Sequence, residues 1–217
     1  MAVTTELIVA RHGEAVCNVA GIVGGDQGCT GLTPQGRGQV ERLAARLSRE
    51  HADRPFDIVY TTPRRRVQET AEIVTRKLGL PSVVETDLRG LDHGEADGNP
   101  WQEVKTAFGG PPQHKPDQPY APGSESWNAY LDRATRTLEI ILARHDGHRV
   151  LVLAHGETIE AAHTLLLNLT PGTCRHARFI TDHACLTHWQ RHVNRLNQAV
   201  WMLLTHNDTR HLAEDQP

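Results

Sequence analysis

The sequence lacks any long apolar run, any excess of basic charge and any pairing of its cysteines. No stretch approaches the roughly 18 consecutive apolar residues of a membrane-spanning helix, and the formal net charge is -3 at pH 7. Neither a membrane protein nor a protein with the basic surface that nucleic acid requires is therefore expected. The N-terminus has no signal-peptide pattern, and the 4 cysteines form no Cys-x-x-Cys pair. We expect reduced thiols and a cytoplasmic location.

Histidine is plentiful, with 14 residues, but the patterns of a metal site are missing. There is no His-Glu-x-x-His motif and no paired His/Cys spacing. The Gly-rich segment 18–31 also differs from a nucleotide-binding fingerprint, because no strand leads into a Gly-x-Gly-x-x-Gly and no Gly-Lys-Ser/Thr follows. We therefore expect no metal. The segment is either a flexible loop or backbone that approaches a ligand closely.

Predicted strands and helices alternate along the chain. Short apolar or β-branched runs predict strands at residues 6–10, 56–60, 81–86 and 149–154. The last run is uninterrupted, as in a central parallel strand. Apolar residues at helical spacing predict helices between these strands. The alternation predicts one α/β domain over residues 1–217, a three-layer α/β/α sandwich with a mostly parallel central sheet and helices on both faces.

Two segments depart from this alternation. Residues 88–123 are rich in proline and glycine and contain one plausible short helix, Trp101–Phe108; an insertion of this kind is typical of a lid or substrate loop. The tail contains two further strands, near Ala184–Trp189 and Gln198–Leu204, which predict a hairpin added at one edge of the sheet. Such an edge could also form a homodimer.

Polar side chains follow two of the predicted strands directly. Arg11 and His12 come after the first strand, and His155 follows the strand at 149–154. Ligands of open α/β sheets bind just beyond the carboxyl ends of the strands, so these side chains can converge at one edge. A neutral imidazole is a nucleophile, and nearby cations lower its pKa and keep it unprotonated.

Three arginines at residues 64–66 follow another predicted strand. Thr62 and Pro63 predict the cap and the first turn of the next helix, so the arginines occupy a helix N-terminus. The helix dipole favours anions there and not cations. The cluster is either a solvated surface or an anion site, and guanidinium groups match phosphate oxygens bidentately.

Several motifs accompany these residues, in a fixed order along the chain. They are RHGE at residues 11–14, LTPQG at 32–36, TPRRRVQETA at 62–71, GSES at 123–126 and AHG at 154–156. Together they resemble the histidine phosphatase superfamily, the phosphoglycerate mutase-like family. The resemblance spans residues 6 to about 170 and implies the phosphoglycerate mutase-like fold.

The resemblance also implies roles for individual residues. His12 is then the nucleophile that becomes phosphohistidine, while Arg11, Arg66 and His155 hold the phosphoryl oxygens and stabilise the charge of the transition state. Residues expected to line the phosphate pocket as well are Asn18, Gly24 and Gly156. The resemblance implies neither a metal nor another cofactor, because the arginines supply the positive charge.

One position departs from the family pattern. The family usually carries a general-acid Glu in a Leu-x-Glu motif, and Gly90 occupies that position here. The leaving alkoxide still needs a proton. Asp92 is the first candidate donor and Glu157, one residue past the AHG motif, is its rival. Asp92 could instead cap a turn, and Glu157 could only complement its helix dipole.

The expected function is hydrolysis of a phosphomonoester, a small phosphorylated metabolite such as a sugar or amino-sugar phosphate. A phosphoglycerate mutase-type phosphotransferase is disfavoured, because residues 98–123 contain only Lys105 and Lys115 as cations. A low-activity phospho-ligand-binding relative remains a further alternative because of Gly90. Acidic residues suggest that the substrate carries hydroxyls or an amine; they are Asp92, Glu95, Asp97, Glu125 and Glu157.

Overall fold

A six-stranded mixed sheet forms the centre of the protein. The computed structural model describes residues 2–170 and 177–213. The strands are β1 (Ala2–Arg11), β2 (Ile58–Thr61), β3 (Ser82–Val84), β4 (Arg149–Ala154), β5 (Leu186–Val193) and β6 (Ala199–Asp208). Their order is β3-β2-β4-β1-β5-β6. The pairs among the first four are parallel, whereas β5 and β6 add an antiparallel hairpin. The predicted sheet and its edge hairpin are confirmed.

Helices cover both faces of this sheet. In the described residues they are α1 (Val16–Ala20), α2 (Pro34–Asp53), α3 (Arg65–Leu78), α4 (Trp101–Phe108), α5 (Trp127–Arg144) and α6 (Gly156–Leu166). Alternate side chains of a strand point to opposite faces. Leu7 and Val9 accordingly pack in the same core as α5 and α6, while Ile8 and Ala10 pack with α2 and α3. The three-layer α/β/α sandwich is confirmed.

Some element boundaries differ from the predicted ones. Helix α3 begins at Arg65, with Arg64 as its N-cap and no side-chain cap hydrogen bond, so Thr62 and Pro63 lie before the helix and do not cap it. The Gly-rich segment contains the short helix α1, which ends at Gly21 in the left-handed conformation that glycine adopts readily. Strand β1 begins at Ala2, four residues before the apolar run.

The insertion at 88–123 packs against the body of the domain. Leu88, Leu91 and Tyr120 are buried in the core that α5 and α6 share, and Trp101 stacks on Tyr120 with 5.9 Å between ring centroids. The insertion thus contributes to the core beside the carboxyl end of the sheet. Within residues 2–170 and 177–213, no helix combines the length and apolar character needed to cross a membrane.

Candidate active site

The sheet topology brings the predicted residues together. Arg11 is the last residue of β1 and pairs with Ala154 of the parallel neighbour β4, so His12 and His155 leave adjacent strands at the same edge. Strand β2 pairs with the other side of β4, and the chain beyond it enters α3, whose second residue is Arg66. Three strand ends therefore converge, as the sequence predicts.

His12 presents one ring nitrogen to this edge. Its Nδ1 lies 2.7 Å from the carbonyl oxygen of Gly13. A carbonyl only accepts hydrogen bonds, so Nδ1 carries the proton and Nε2 keeps its lone pair. The Nε2 atom accepts from Nε of Arg66 at 3.0 Å. The side chain is almost completely buried, and the imidazole is held with its nucleophilic nitrogen beside a guanidinium.

Arg66 links the three parts of the site. Besides its bond to His12, its Nη1 donates to the carbonyl oxygen of Gly24 at 2.6 Å. Its Nη2 lies 3.2 Å from Nδ1 of His155. The guanidinium is buried and fixed on three sides. Its N–H groups stand where oxygens of a phosphoryl group next to His12 could accept them.

His155 is also fixed in its tautomer. Its Nδ1 accepts from Arg66, and its Nε2 lies 3.0 Å from Oγ1 of Thr62. The rings of His12 and His155 meet edge to face with 5.6 Å between centroids. Thr62 thus belongs to the site, although the sequence predicted it only as a helix cap.

Burial and nearby cations hold both histidines neutral. Burial lowers the pKa of His12 well below its ordinary value, and the charges of Arg66 and Arg11 lower it further. Burial likewise lowers the pKa of His155, and the charges of Arg66 and Arg64 lower it further. Both imidazoles are therefore uncharged at neutral pH, which is the nucleophilic form of His12.

A third histidine, His183, lies at the same edge. Arg11 donates through Nη1 to the carbonyl of Thr181, and its Nη2 lies 3.2 Å from Nε2 of His183. That nitrogen is 3.1 Å from Oδ1 of Asn18. The His183 ring centre is 6.0 Å from that of His12. Sequence reasoning missed His183, because the tail that carries it follows the last motif by many residues.

The glycines predicted to line the phosphate pocket have different surroundings. Gly24 binds Arg66 through its carbonyl oxygen, and an added Cβ would lie 2.5 Å from Sγ of Cys17, so no side chain fits there. Gly156 begins α6, and a Cβ on it would lie 2.6 Å from Oγ1 of Thr181. Both positions let backbone approach the site closely.

A second cysteine also touches the site. Sγ of Cys29 accepts the backbone N–H of Arg66 at 3.4 Å. Both Cys17 and Cys29 are buried free thiols. The thiols thus pack beneath the segment that positions the Arg66 guanidinium.

The two candidate proton donors differ in their surroundings. Oδ1 of Asp92 accepts the backbone N–H of Gly94 at 3.3 Å, which is a turn-capping contact. Glu157 lies in the first turn of α6, and after burial its charge has the largest effect on the pKa of Arg11. In the described part of the chain, neither carboxylate is hydrogen-bonded to His12 or His155.

Gly90 lies beside His155. A Cβ at this position would lie 3.5 Å from three atoms of the His155 ring, which is ordinary van der Waals contact. The position where the family usually carries Glu is therefore at the site. Its neighbour His93 is buried and hydrogen-bonds through Nδ1 with the hydroxyl of Tyr120. Burial lowers the pKa of His93 to about 4.

Two of the acidic residues from the sequence analysis are engaged by the protein itself. The carboxylate of Asp97 accepts the backbone N–H groups of Gly25, Gln27 and Gly28 at 2.7–3.0 Å. Glu125 forms a bidentate pair with Arg133 at 2.7 and 2.9 Å. Both carboxylates therefore bind groups of the protein itself. Across residues 2–170 and 177–213, no group of three His, Cys, Asp or Glu side chains could hold a metal ion.

Comparison with known proteins gives a consistent result. The sequence profile of the histidine phosphatase superfamily (branch 1) matches residues 7–208. A metal-independent phosphoserine phosphatase of Arabidopsis thaliana is 32% identical over 162 residues, which are 72% of this chain and 66% of that protein. An uncharacterised phosphatase, PhoE, of Bacillus subtilis (strain 168) is 28% identical over 210 residues, 96% of this chain and 97% of that protein. The solved structure of Bacillus stearothermophilus YhfR superposes with a TM-score of 0.77 and 25% identity, covering 96% of this chain and 100% of that one.

Proposed function

The chain belongs to branch 1 of the histidine phosphatase superfamily and is a phosphoric monoester hydrolase of a small phosphorylated metabolite, and we propose that it works through a phosphohistidine at His12. The observation that carries the proposal is the state of His12. Its Nδ1 proton is engaged by Gly13, while its buried Nε2 is unprotonated and faces Arg66. An imidazole in this state can form a covalent intermediate.

In the first step the Nε2 lone pair attacks phosphorus, and the bond from phosphorus to the ester oxygen breaks. The ester oxygen leaves with the electron pair of that bond and takes a proton from an acid. In the second step water attacks the phosphoryl group, the P–N bond breaks and inorganic phosphate forms. The water proton returns to the same acid, which the first step left as its conjugate base.

Two guanidinium groups, those of Arg66 and Arg11, stabilise the charge on the phosphoryl oxygens. Arg66 donates to His12 and His155, so phosphoryl oxygens that enter between the rings replace the imidazole nitrogens as its acceptors. Arg11 supplies a buried Nε that has no acceptor among the described residues. Preorganised donors of this kind contribute most of the rate enhancement in phosphoryl transfer.

Glu157 is the proton donor that we propose, in preference to Asp92. The support for Glu157 is its charge, which acts on Arg11 and His93 on two sides of the site. One carboxylate oxygen of Asp92 instead accepts the backbone N–H of Gly94 in its own turn. We also propose a cytoplasmic location, which the free thiols of Cys17, Cys29 and Cys185 support.

Phosphate release from p-nitrophenyl phosphate tests the proposal. We expect turnover without added metal and in the presence of a chelator, because guanidinium groups supply the positive charge. His12→Ala should reduce kcat by at least about a thousandfold, since no other group takes the nucleophile's place. The control is His114→Ala, which changes an exposed histidine outside the site and should match the wild type. Retention of wild-type kcat by His12→Ala would contradict the proposal.

A further inference from the structure

Cys17 and Cys29 meet across the loop that the Gly-rich segment forms. Cys17 lies in the first turn of α1, and Cys29 lies near the other end of the segment. The backbone closes the loop beside them, because the N–H of Val16 donates to the carbonyl oxygen of Gly31 at 3.0 Å. The two cysteine side chains hydrogen-bond to each other. The fold therefore holds two free thiols in contact.

The two thiols lie against the groups that position the Arg66 guanidinium. Sγ of Cys29 accepts the backbone N–H of Arg66 at 3.4 Å. Sγ of Cys17 packs against Gly24, where the position of an added Cβ is 2.5 Å from this sulfur and 3.1 Å from Nη1 of Arg66. The carbonyl oxygen of Gly24 accepts from the same Nη1. A movement of either sulfur therefore reaches Arg66 directly.

The surroundings of the pair favour one thiolate and one thiol. The hydrogen bond from Cys17 lowers the pKa of Cys29, burial opposes it, and the charge of Arg66 lowers the pKa further, so that it lies below its ordinary value. The same hydrogen bond and burial raise the pKa of Cys17. A thiolate beside a cation is the form of cysteine that reacts with oxidants. Burial instead raises the pKa of Cys185, as in an inert structural thiol.

We propose that Cys17 and Cys29 are an oxidation site for small peroxides, and that a reversible disulfide between them switches the enzyme off. Cys29 is the thiol that peroxide oxidises, and Cys17 resolves the product. The effect on activity rests on the proposed phosphatase function, in which Arg66 holds the phosphoryl group. Formation of the disulfide does not depend on that function.

The chemistry needs one peroxide molecule and the two sulfurs. A lone pair of the Cys29 sulfur attacks a peroxide oxygen, the O–O bond breaks, and hydroxide leaves with the electron pair. Hydroxide takes the proton of the Cys17 thiol and becomes water. The Cys17 sulfur then attacks the Cys29 sulfenic acid, so that the S–S bond forms and the S–O bond breaks. The second hydroxide takes a proton from solvent. The sulfurs together lose two electrons, and the peroxide is reduced to two waters.

The disulfide changes both contacts with the site. The sulfurs must approach to about 2.05 Å, so the Cys17 sulfur shifts relative to Gly24 and the Cys29 sulfur shifts relative to the amide of Arg66. The disulfide also lacks the negative charge that the Arg66 N–H binds in the thiolate. Since a displacement of about 1 Å in a catalytic site can lower the rate on the order of a hundredfold, we expect kcat to fall at least about tenfold.

Peptide mass spectrometry after treatment with hydrogen peroxide tests the site itself. The remaining thiols are alkylated and the protein is digested without reduction. We expect a peptide pair cross-linked through Cys17 and Cys29, with Cys185 alkylated. Dithiothreitol should remove the cross-link and restore hydrolysis of p-nitrophenyl phosphate to the rate of the untreated enzyme.

Three variants, each compared with its own untreated rate, separate this site from general oxidative damage. Cys29→Ala should keep its rate in peroxide. Cys17→Ala should lose activity that dithiothreitol does not restore, because an unresolved sulfenic acid is oxidised further to sulfinic acid. Cys185→Ala is the matched control, which removes another buried thiol, and should be inactivated and restored like the wild type.

The outcomes are distinct. Free Cys17 and Cys29 in wild-type protein, under conditions that fully oxidise glutathione, would overturn the inference. Full activity of the cross-linked enzyme, or inactivation of Cys29→Ala at the wild-type rate, would overturn it as well. If the untreated wild type releases no phosphate from p-nitrophenyl phosphate, the proposed phosphatase function fails, while the mass spectrum still decides whether the disulfide forms.

Discussion

At the scale of single residues, the site depends on two histidines that are kept neutral and on one arginine between them. Arg66 donates to both imidazoles. Each ring donates its own N–H on the other side, His12 to the carbonyl of Gly13 and His155 to the hydroxyl of Thr62. This arrangement fixes both tautomers and aims both lone pairs at one guanidinium. When phosphoryl oxygens replace the imidazole nitrogens as acceptors, the N–H donors of Arg66 are already in position.

The identity of the acid can be tested at this scale. We expect Glu157→Gln to lower kcat by about a hundredfold on an alkyl phosphomonoester, whose leaving oxygen needs a proton, and to have far less effect on p-nitrophenyl phosphate. Asp92→Asn is the matched control and should behave alike on both substrates. Kinetics on a series of leaving groups measures the difference. The reverse pattern, with the selective loss in Asp92→Asn, would return the role to Asp92.

Sequence reasoning found the residues that belong to local motifs at strand ends, namely Arg11, His12, Arg66 and His155. It missed the residues whose position depends on long-range packing. His183 reaches Asn18 across 165 residues of sequence. Arg64 was noticed only as part of an arginine cluster, and nothing local indicated its burial beside Asp26.

At the scale of secondary-structure elements, Asp97 connects the insertion to the Gly-rich loop. The Asp97 carboxylate accepts three backbone N–H groups of residues 25–28. Burial raises the pKa of Asp97, but these hydrogen bonds outweigh it, so the pKa lies below its ordinary value. Asp97 thus joins two segments that both line the site.

Asp97→Asn should loosen this connection. An amide oxygen keeps one acceptor but loses the charge and the second carboxylate oxygen, so we expect a loss of about 2 kcal/mol in the free energy of unfolding. Because the loop also positions Arg66 through Gly24, KM should rise several-fold. Urea unfolding and steady-state kinetics measure the two effects. Glu95→Gln, at an exposed site nearby, is the control; an Asp97→Asn protein equal to wild type in both would contradict this account.

Periodicity predicted the long elements well. Helices α2 and α5 have apolar residues at helical spacing, and side-chain oxygens of Thr33 and Ser126 cap them. Short elements were less predictable. Helix α1 has five residues in a Gly-rich segment, so it depends on tertiary contacts and leaves no periodic signal.

At the scale of the whole molecule, several buried histidines make stability depend on pH. Burial lowers the pKa of His93 and of His163 to about 4, and it lowers those of His12 and His155 well below their ordinary value. The ordinary pKa of histidine is about 6.5. As the pH falls below that value, the unfolded chain takes up protons that the native state does not, so stability decreases.

We expect full stability above about pH 6.5 and a progressive loss down to about pH 4, at up to about 1.4 kcal/mol per pH unit for each buried histidine. Glu6, with its pKa lowered from 4.5 to about 2, adds a further loss of stability below about pH 4.5. Urea unfolding at several pH values measures the slope. His163→Phe should reduce the slope of unfolding free energy against pH by up to the contribution of one proton. His114→Gln should leave the slope unchanged. A wild-type stability that is flat from pH 6.5 to 4 would contradict the expectation.

The most direct test of the central claim is to trap the phosphoryl enzyme. p-Nitrophenol is a good leaving group, so His12 should be phosphorylated faster than the resulting phosphohistidine is hydrolysed. The intermediate should therefore accumulate. The reaction is stopped within the first turnovers in alkali, which preserves phosphohistidine, and the phosphorylated residue is located by peptide mass spectrometry. The account predicts a phosphoryl group on His12 that is absent from His12→Ala. Turnover with an unmodified His12, or with the phosphoryl group on another residue such as His183, would contradict it.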